Sequence, residues 1–191
     1  MICYIDIHTH HPTGLYLEPQ GVGIHPWDAE SQVPSKEIFD GATLIGEIGL
    51  DFTKDVNRAV QEQVFRYQLS QAEKRDVPVV LHCVKAFEPI MKILGEYELR
   101  AVIFHGFIGS AEQAERAIKK GYYLSFGHNV SRSPKSIKAL NICPLNRLFV
   151  ETDDSDMTIE DTYATIAKLR DVEVASLATQ IEENYNRIFS K

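Results

Sequence analysis

Short apolar runs rich in β-branched and aromatic residues recur along the chain, a pattern that is typical of strands. The runs that predict strands are residues 2–7, 21–24, 43–50, 77–82, 101–105, 122–126 and 147–153. The short segment GLYLE, at 14–18, predicts a rudimentary eighth strand. The pattern therefore predicts seven clear strands and one marginal strand.

Between several of these runs, apolar residues recur at helical spacing. These segments are residues 57–76, 85–97 and 172–189. Alternation of strands and helices predicts an α/β fold in which helices cover a parallel sheet, and a compact TIM-like (β/α) barrel is the architecture that we expect. No repeat, low-complexity stretch or linker interrupts the pattern, so we expect a single domain over residues 1–191.

Histidines and carboxylates stand late in the predicted strands or directly after them. These residues are His8, His10, His25, Glu47, His82, His105 and Asp153. In parallel α/β folds the carboxyl ends of the strands form one face, where active sites gather. Imidazole and carboxylate groups crowded there favour a pair of metal ions, which Glu47 could bridge. Two neighbouring metal ions suit hydrolysis of a phosphoester or an amide.

Each of these residues also has a simpler interpretation. The HTH motif places His8 and His10 on one face of an extended segment. The two imidazoles either chelate one metal ion or are simply the polar end of a strand. Glu47 is either a metal ligand or half of a buried ion pair. His82 and His105 are either ligands or hydrogen-bonded core residues. Asp51 either orients a ligand or caps the next segment.

Three further residues are candidates for contacts with a substrate. They are His25, in GIHPW, Lys85, which follows the fourth predicted strand, and Arg132, in VSRSP. His25 could instead pack under Trp27, and Arg132 could be an ordinary surface arginine.

Composition narrows the class of protein. The chain has 191 residues, 44% hydrophobic and 25% charged, which is ordinary for a globular protein. Its net charge of −7 argues against a large basic face on nucleic acid, although bound cations could supply local positive charge. Three cysteines without paired spacing favour a reducing cytoplasm, and no apolar run or leader predicts a membrane segment. We expect no obligate protein partner.

Taken together, the motifs resemble the TatD family of metal-dependent hydrolases, among the amidohydrolase-like barrels. YIDIHTH is similar to the family's opening D-x-H-x-H, VGIHPW to its G-x-H-P segment, and IGEIGLDF to its most recognisable stretch. VVLHC, VIFHGFIGS, PLNRLFVETD and ENYNRIF resemble later family segments in the same order. The matches span nearly the whole chain.

The resemblance implies a site for two divalent cations per chain. In it, His8 and His10 bind one metal, Glu47 bridges, His82 and His105 bind the second metal, and Asp153 holds the first. Asp153 and Glu47 would be the catalytic residues, with Asp153 accepting a proton from a metal-activated water. The ligand set suits zinc, manganese or nickel, and magnesium if waters complete the shell.

The chain also departs from the family pattern. It is shorter than typical members, with only PTGLYLEPQ where a helix and a second strand are expected after His11. ETDDSDM stands where the family tends to have ETD, a small residue and proline. The metal ligands are therefore better matched than the loops that shape a substrate pocket.

We expect a metal-dependent hydrolase of ester bonds, specifically a phosphodiesterase or deoxyribonuclease acting on DNA. One alternative keeps the metals and changes the substrate to a small phosphate ester, an amide or a lactone. A second alternative is a non-catalytic barrel that binds metal or a partner.

Overall fold

The structure is a computed structural model and describes residues 2–190. It comprises two compact units. The first unit contains the residues up to Pro19 together with those from His105 onwards, and the second unit is Gln20–Phe104.

The second unit alternates strands and helices. Its elements are β1 (Ile45–Asp51), α1 (Arg58–Arg75), β2 (Val79–Val84), α2 (Phe87–Leu94) and β3 (Val102–Phe104). Strand β2 pairs in parallel with β1 on one side and with β3 on the other. The strand interiors are apolar and buried, as expected for a parallel sheet.

The first unit also combines parallel strands with helices. Its elements are α3 (Ala111–Lys119), β4 (Tyr123–Phe126), α4 (Pro134–Ile142), β5 (Leu148–Val150), α5 (Ile159–Arg170) and α6 (Val174–Phe189). Strands β4 and β5 pair in parallel, with Leu124 opposite Leu148. The α/β prediction is therefore confirmed.

The prediction of seven strands is wrong, because residues 2–190 contain five. Residues 2–7 make a single bridge, Ile5 to Leu17, and residues 21–24 make a single bridge, Val22 to Ile45. Leu17 belongs to the GLYLE segment, so the marginal eighth strand is also only a bridge.

Side chains take the place of the missing ladder partners. The Tyr163 hydroxyl accepts from Ile5 N at 3.2 Å and donates to Ile5 O at 3.0 Å. The Gln68 amide accepts from Ile24 N at 2.6 Å and donates to Ile24 O at 3.0 Å. Because these contacts satisfy the buried backbone groups, the two apolar segments are extended without becoming regular strands.

Helix boundaries follow from local chemistry. Asn57 caps α1 by accepting from Ala59 N and Val60 N, and the helix ends where Asp76 adopts a left-handed conformation, with φ 51°. Ser110 and Gln113 form a reciprocal capping box at the start of α3. Such caps fix where each helix begins relative to the strand before it.

Closure of the strands into a barrel and the single-domain assignment stay predictions. Across the described residues, no helix combines the length and apolar character required to cross a bilayer.

Candidate metal centres

In the first unit, the segment that carries His8 and His10 lies beside the residues after β5. Ile7 N donates to Val150 O at 3.1 Å, Asp153 N to His8 O at 3.0 Å, and His10 N to Asp153 O at 3.0 Å. These main-chain bonds fix the register of the HTH motif against Asp153.

The register brings two imidazoles to one carboxylate. His8 Nε2 lies 3.7 Å and His10 Nε2 3.5 Å from Asp153 Oδ1. One ligand atom from each of the three residues lies within 4.8 Å of the others, which is the arrangement of a chelating group. His8 is largely buried and His10 is half-exposed, so the group opens toward solvent on the His10 side.

Asp153 also belongs to an adjoining group in the first unit, with His105 and Glu151. His105 follows β3 directly, and its Nδ1 lies 3.4 Å from Glu151 Oε1. Glu151 Oε1 also accepts from Gly106 N at 2.6 Å. Burial raises the pKa of Glu151, but the hydrogen bond and charge of His105 and the charge of His8 outweigh it, so the pKa is lowered.

The buried Asp6 carboxylate links the HTH segment to Thr152, the residue before Asp153. Its carboxylate accepts from Thr152 N at 3.0 Å and from Thr152 Oγ1 at 2.5 Å, and only 3% of the residue is exposed. Burial raises the pKa of Asp6 to about 6, although the bonds from Thr152 oppose the rise. Asp6 thus ties the HTH segment to the residues that lead from β5 to Asp153.

In the second unit, Glu47 lies between two histidines. Glu47 Oε1 is 2.5 Å from His82 Nδ1 and 3.3 Å from His25 Nε2, and 7% of the Glu47 side chain is exposed. The three residues form a second group with ligand atoms within 4.8 Å of one another. Glu47 lies in β1 and His82 in the neighbouring β2, so strand pairing positions both side chains.

Both imidazoles have a fixed orientation. His25 Nδ1 accepts from Trp27 N at 3.2 Å, so the ring proton is on Nε2, which faces Glu47 and can donate a hydrogen bond to it. His82 Nε2 contacts Asp51 Oδ2 at 3.2 Å, which leaves Nδ1 facing Glu47. A carboxylate on the far nitrogen is the usual way to orient a metal-binding histidine.

Asp51 is itself held firmly. It accepts from Trp27 Nε1 at 2.7 Å and from Thr53 N at 2.9 Å, and only 2% of it is exposed. Burial raises the pKa of Asp51, but the bonds from Thr53, Trp27 and His82 outweigh it and lower the pKa to about 2. Asp51 is therefore a carboxylate at neutral pH and can accept a hydrogen bond from the Nε2–H of His82.

A glycine between Glu47 and Asp51 allows β1 to approach β2. Gly49 pairs with His82 and has φ +145°, and a Cβ atom there would lie 2.0 Å from His82 O. A larger residue at 49 would push away the backbone that carries His82.

A cleft of about 600 Å³ lies within the first unit, next to Asp153 and Glu151. Arg132 and His128 line it, together with apolar residues such as Phe107 and Met157. Glu151 and Asp153 line the cleft, so it borders the His105–Glu151–Asp153 group. Lys85, by contrast, is an exposed residue just past the end of β2.

The structure groups the predicted residues by unit. His8, His10, His105 and Asp153 come together in the first unit, and Glu47 and His82 come together in the second. Their roles as ligands, and the bridging role of Glu47, stay predictions. So do the substrate-binding roles of His25, Lys85 and Arg132, although Arg132 lines the cleft.

Two members of these groups, Glu151 and His25, were not among the metal ligands predicted from the sequence. Glu151 stands two residues before Asp153, and the same two-residue spacing that selected His8 and His10 could have selected it. His25 was expected to contact substrate, yet its ring belongs to the Glu47–His82 group.

The donor chemistry fits divalent cations. Both groups combine imidazole nitrogens with carboxylates, and Glu47 and Glu151 expose only 7% and 1% of their side chains. Buried carboxylates are stabilised by hydrogen bonds or by nearby positive charge, and a metal ion or a protonated imidazole would supply that charge here.

Parallel strands whose residues, with those that follow them, form histidine and carboxylate groups are typical of α/β metal-dependent hydrolases. The model of the TatD-related DNase family matches residues 19–190. The chain therefore belongs to the TatD-related DNase family, and the predicted resemblance is confirmed.

Two relatives illustrate the match. The uncharacterized metal-dependent hydrolase YabD of Bacillus subtilis (strain 168) is 33% identical over 88% of this chain and 76% of its own. The 3'-5' ssDNA/RNA exonuclease TatD of Enterobacter lignolyticus (strain SCF1) is 30% identical over 69% of this chain. The chain covers only 55% of that exonuclease.

Solved structures agree with the fold. The crystal structure of YjjV, a TatD homolog from Escherichia coli K12, has a TM-score of 0.82 and 26% identity, covering 91% of this chain and 77% of its own. A TatD-family hydrolase from Entamoeba histolytica has a TM-score of 0.78 at 16% identity, covering 93% of this chain and 77% of its own, and supports the fold alone.

Proposed function

We propose that the chain is a metal-dependent phosphodiesterase that hydrolyses single-stranded nucleic acid. The observation that carries the proposal is the convergence of imidazole and carboxylate donors in two groups, His8–His10–Asp153 and His25–Glu47–His82. The printed name of the Enterobacter relative, a single-strand exonuclease, supports nucleic acid as the substrate class.

The proposal includes two divalent cations, one held in each unit. His8, His10 and Asp153 would hold the first, with His105 and Glu151 adjoining it, and Glu47 and His82 would hold the second, with His25 Nε2 donating to Glu47. When bound, such ions lower the pKa of a coordinated water toward neutrality and stabilise charge on phosphoryl oxygens. Zinc, manganese and nickel suit these donors best, with magnesium as a further candidate.

The chain's own groups would manage the proton and the substrate. Asp153 is 40% exposed on its side chain and borders the cleft, so its carboxylate can accept a proton from an attacking water. Arg132 lines the same cleft and can contact a phosphate oxygen. Asp51 keeps His82 Nδ1 directed at Glu47.

The cleft also favours one alternative substrate class. At about 600 Å³, it has the volume of a small-molecule site, so a small phosphate ester would fit there as well as the end of a nucleic acid. A cytoplasmic location belongs to the proposal too, and three free cysteines agree with a reducing compartment.

Parallel assays test the proposal. Metal-loaded protein is incubated with a labelled single-stranded DNA oligonucleotide, with p-nitrophenyl phosphate and with p-nitrophenyl acetate, and Glu47→Gln is the control for contaminating activity. We expect the oligonucleotide to be hydrolysed fastest and only by the unmodified chain. Faster turnover of p-nitrophenyl phosphate or of the acetate would contradict the substrate, and no turnover of any compound would contradict catalysis.

A further inference from the structure

The single tryptophan of the chain lies beside the second-unit group. Trp27 is 49% exposed, and its ring centroid is 4.6 Å from that of His25 and 5.9 Å from that of His82. A half-exposed indole beside candidate metal ligands is a large apolar surface in a polar setting.

The orientation of the indole is fixed. Its Nε1 donates to the buried carboxylate of Asp51 at 2.7 Å, and Trp27 follows Pro26 in a short 3₁₀ turn. The polar edge is thereby anchored, while the residue as a whole stays half-exposed. A rigid, anchored aromatic ring loses little conformational entropy when a flat ligand stacks on it.

A cation accompanies the ring. Lys54 Nζ lies 4.0 Å from the ring centroid, and the exposed Lys54 side chain is long and flexible. A second pair lies close by in sequence, where the guanidinium of Arg58, the first residue of α1, is 4.4 Å from the Phe52 ring. Residues 51–58 thus place two cations on two aromatic rings, and Asp51 and Asp55 leave the stretch with no net charge.

An anchoring role alone explains only part of this geometry. Holding Asp51 requires the indole N–H, whereas the exposed ring surface and the two cations contribute nothing to that hydrogen bond. Aromatic rings that stack bases, interleaved with cations that contact phosphates, are the usual means by which proteins bind single-stranded nucleic acid.

We propose that Trp27 stacks on a base of single-stranded nucleic acid and that Lys54 contacts a neighbouring phosphate. This inference rests on the proposed function and specifies how its substrate is held in the second unit. Arg58 would contact a further phosphate. The base displaces Lys54 from the ring, and the ammonium group then moves to the phosphate.

Tryptophan fluorescence gives a direct readout, because Trp27 is the one tryptophan in the sequence. The full chain, loaded with metal, is titrated with a ten-nucleotide oligothymidylate whose phosphorothioate linkages resist hydrolysis, and separately with ribose 5-phosphate. We expect the oligothymidylate to quench the fluorescence and ribose 5-phosphate to leave it unchanged. Equal quenching by both probes, or none by the oligothymidylate, would overturn the inference.

Variants separate stacking from anchoring, with affinity measured by the anisotropy of a labelled oligothymidylate. Trp27→Ala should weaken binding about 10-fold or more, whereas Trp27→Phe, which keeps an aromatic ring but loses the indole N–H, should stay within about threefold. If Trp27 only anchored Asp51, the two variants would lose the same affinity, and that result would overturn stacking.

Salt dependence tests the lysine. Lys54→Gln should reduce the slope of log affinity against log salt by about 0.7, the value for one phosphate contact on a single strand. Lys36→Gln, a change at a side chain that is 73% exposed, is the matched control and should leave the slope unchanged. Identical slopes for Lys54→Gln and the unmodified chain would overturn the phosphate contact.

The outcome is distinguishable from that of the proposed function. If the unmodified chain hydrolyses single-stranded DNA while Trp27→Ala retains full affinity, the stacking inference is wrong and the nuclease proposal stands. If binding depends on Trp27 but no phosphodiester is hydrolysed, binding stands and the nuclease proposal is wrong.

Discussion

The histidines differ in what holds their rings. His82 is oriented by a buried carboxylate and His25 by a backbone N–H, whereas His11 pairs with Asp154 at 2.9 Å while both side chains are more than 70% exposed. An oriented, partly buried imidazole has already lost the rotational freedom that metal binding would otherwise remove. This difference separates the histidines of the donor groups from surface histidines, and His82 Nδ1 is the nitrogen left unprotonated for a metal ion.

Glu47→Gln tests the second-unit group. The substitution keeps the size of a side chain that is 7% exposed and removes its charge. Changes around metal ligands cost about 10–100-fold in affinity or activity, so we expect a loss of at least about 100-fold for this donor. Metal titration calorimetry and the hydrolysis rate check it. Glu37→Gln, at a side chain 64% exposed, should match the unmodified chain.

His8→Ala tests the first-unit group against a neighbour in sequence. We expect His8→Ala to lose metal at this group, because Asp153 would keep only His10 as its imidazole partner in the three-residue set. His11→Ala should leave metal content unchanged, since the His11 side chain is 71% exposed. Metal analysis after dialysis measures both. Equal metal content in the two variants would contradict the assignment of His8.

At the residue scale, sequence patterns located six candidate ligands, and the structure groups all of them with other donors. The sequence patterns could not reveal which ligands share a group. The grouping depends on which segments of the chain pack together. Asp51 illustrates the difficulty, since its contact with His82 joins residues 31 positions apart.

At the scale of elements, two apolar segments are extended without a ladder. Residues 2–7 and 21–24 have the composition of strands. Neither their composition nor their length shows that the side chains of Tyr163 and Gln68 bond to their backbone in place of a neighbouring strand. Helices α3 and α4 escaped prediction for a different reason. Their buried positions are mostly small or polar, such as Ala114, Ala117 and Ser136, and give a weak apolar signal.

Tyr163→Phe tests the side chain that completes the first extended segment. Removing the hydroxyl leaves Ile5 N and Ile5 O, in a residue only 1% exposed, without their bonds to it. We expect the free energy of unfolding to fall by about 1–3 kcal/mol, measured by urea denaturation. Tyr185→Phe in α6, where the tyrosine is partly exposed, should change it by less than about 0.5 kcal/mol.

At the scale of the whole molecule, cysteine reactivity reports on the fold. Cys3 is exposed, Cys83 is partly buried and Cys143 is buried. Burial raises the pKa of both Cys83 and Cys143 to about 12, and the thiolate is the reactive form.

We therefore expect one thiol per chain to react rapidly with a disulfide reagent at pH 8, and all three to react after denaturation. Counting the released chromophore measures this. A second thiol that reacts rapidly in the native chain would contradict the burial of Cys83, in β2, or of Cys143, after α4.

For the whole molecule, the order of motifs was enough to identify the family, and the alternation of patterns was enough to predict the α/β class. The strand count was not predictable, because an extended apolar segment and a paired strand share one composition. The cleft was equally hidden, since it is formed by the residues that follow β3, β4 and β5 rather than by one motif.

The most direct test of the central claim is the rate of hydrolysis of a single-stranded DNA oligonucleotide as metal is returned to chelator-treated protein. We expect no cleavage without metal, and a rate that rises with added manganese or zinc and saturates once the donor groups are filled. Cleavage that persists at the full rate in the chelated protein, or none at any concentration of the four candidate metals, would contradict a metal-dependent nuclease.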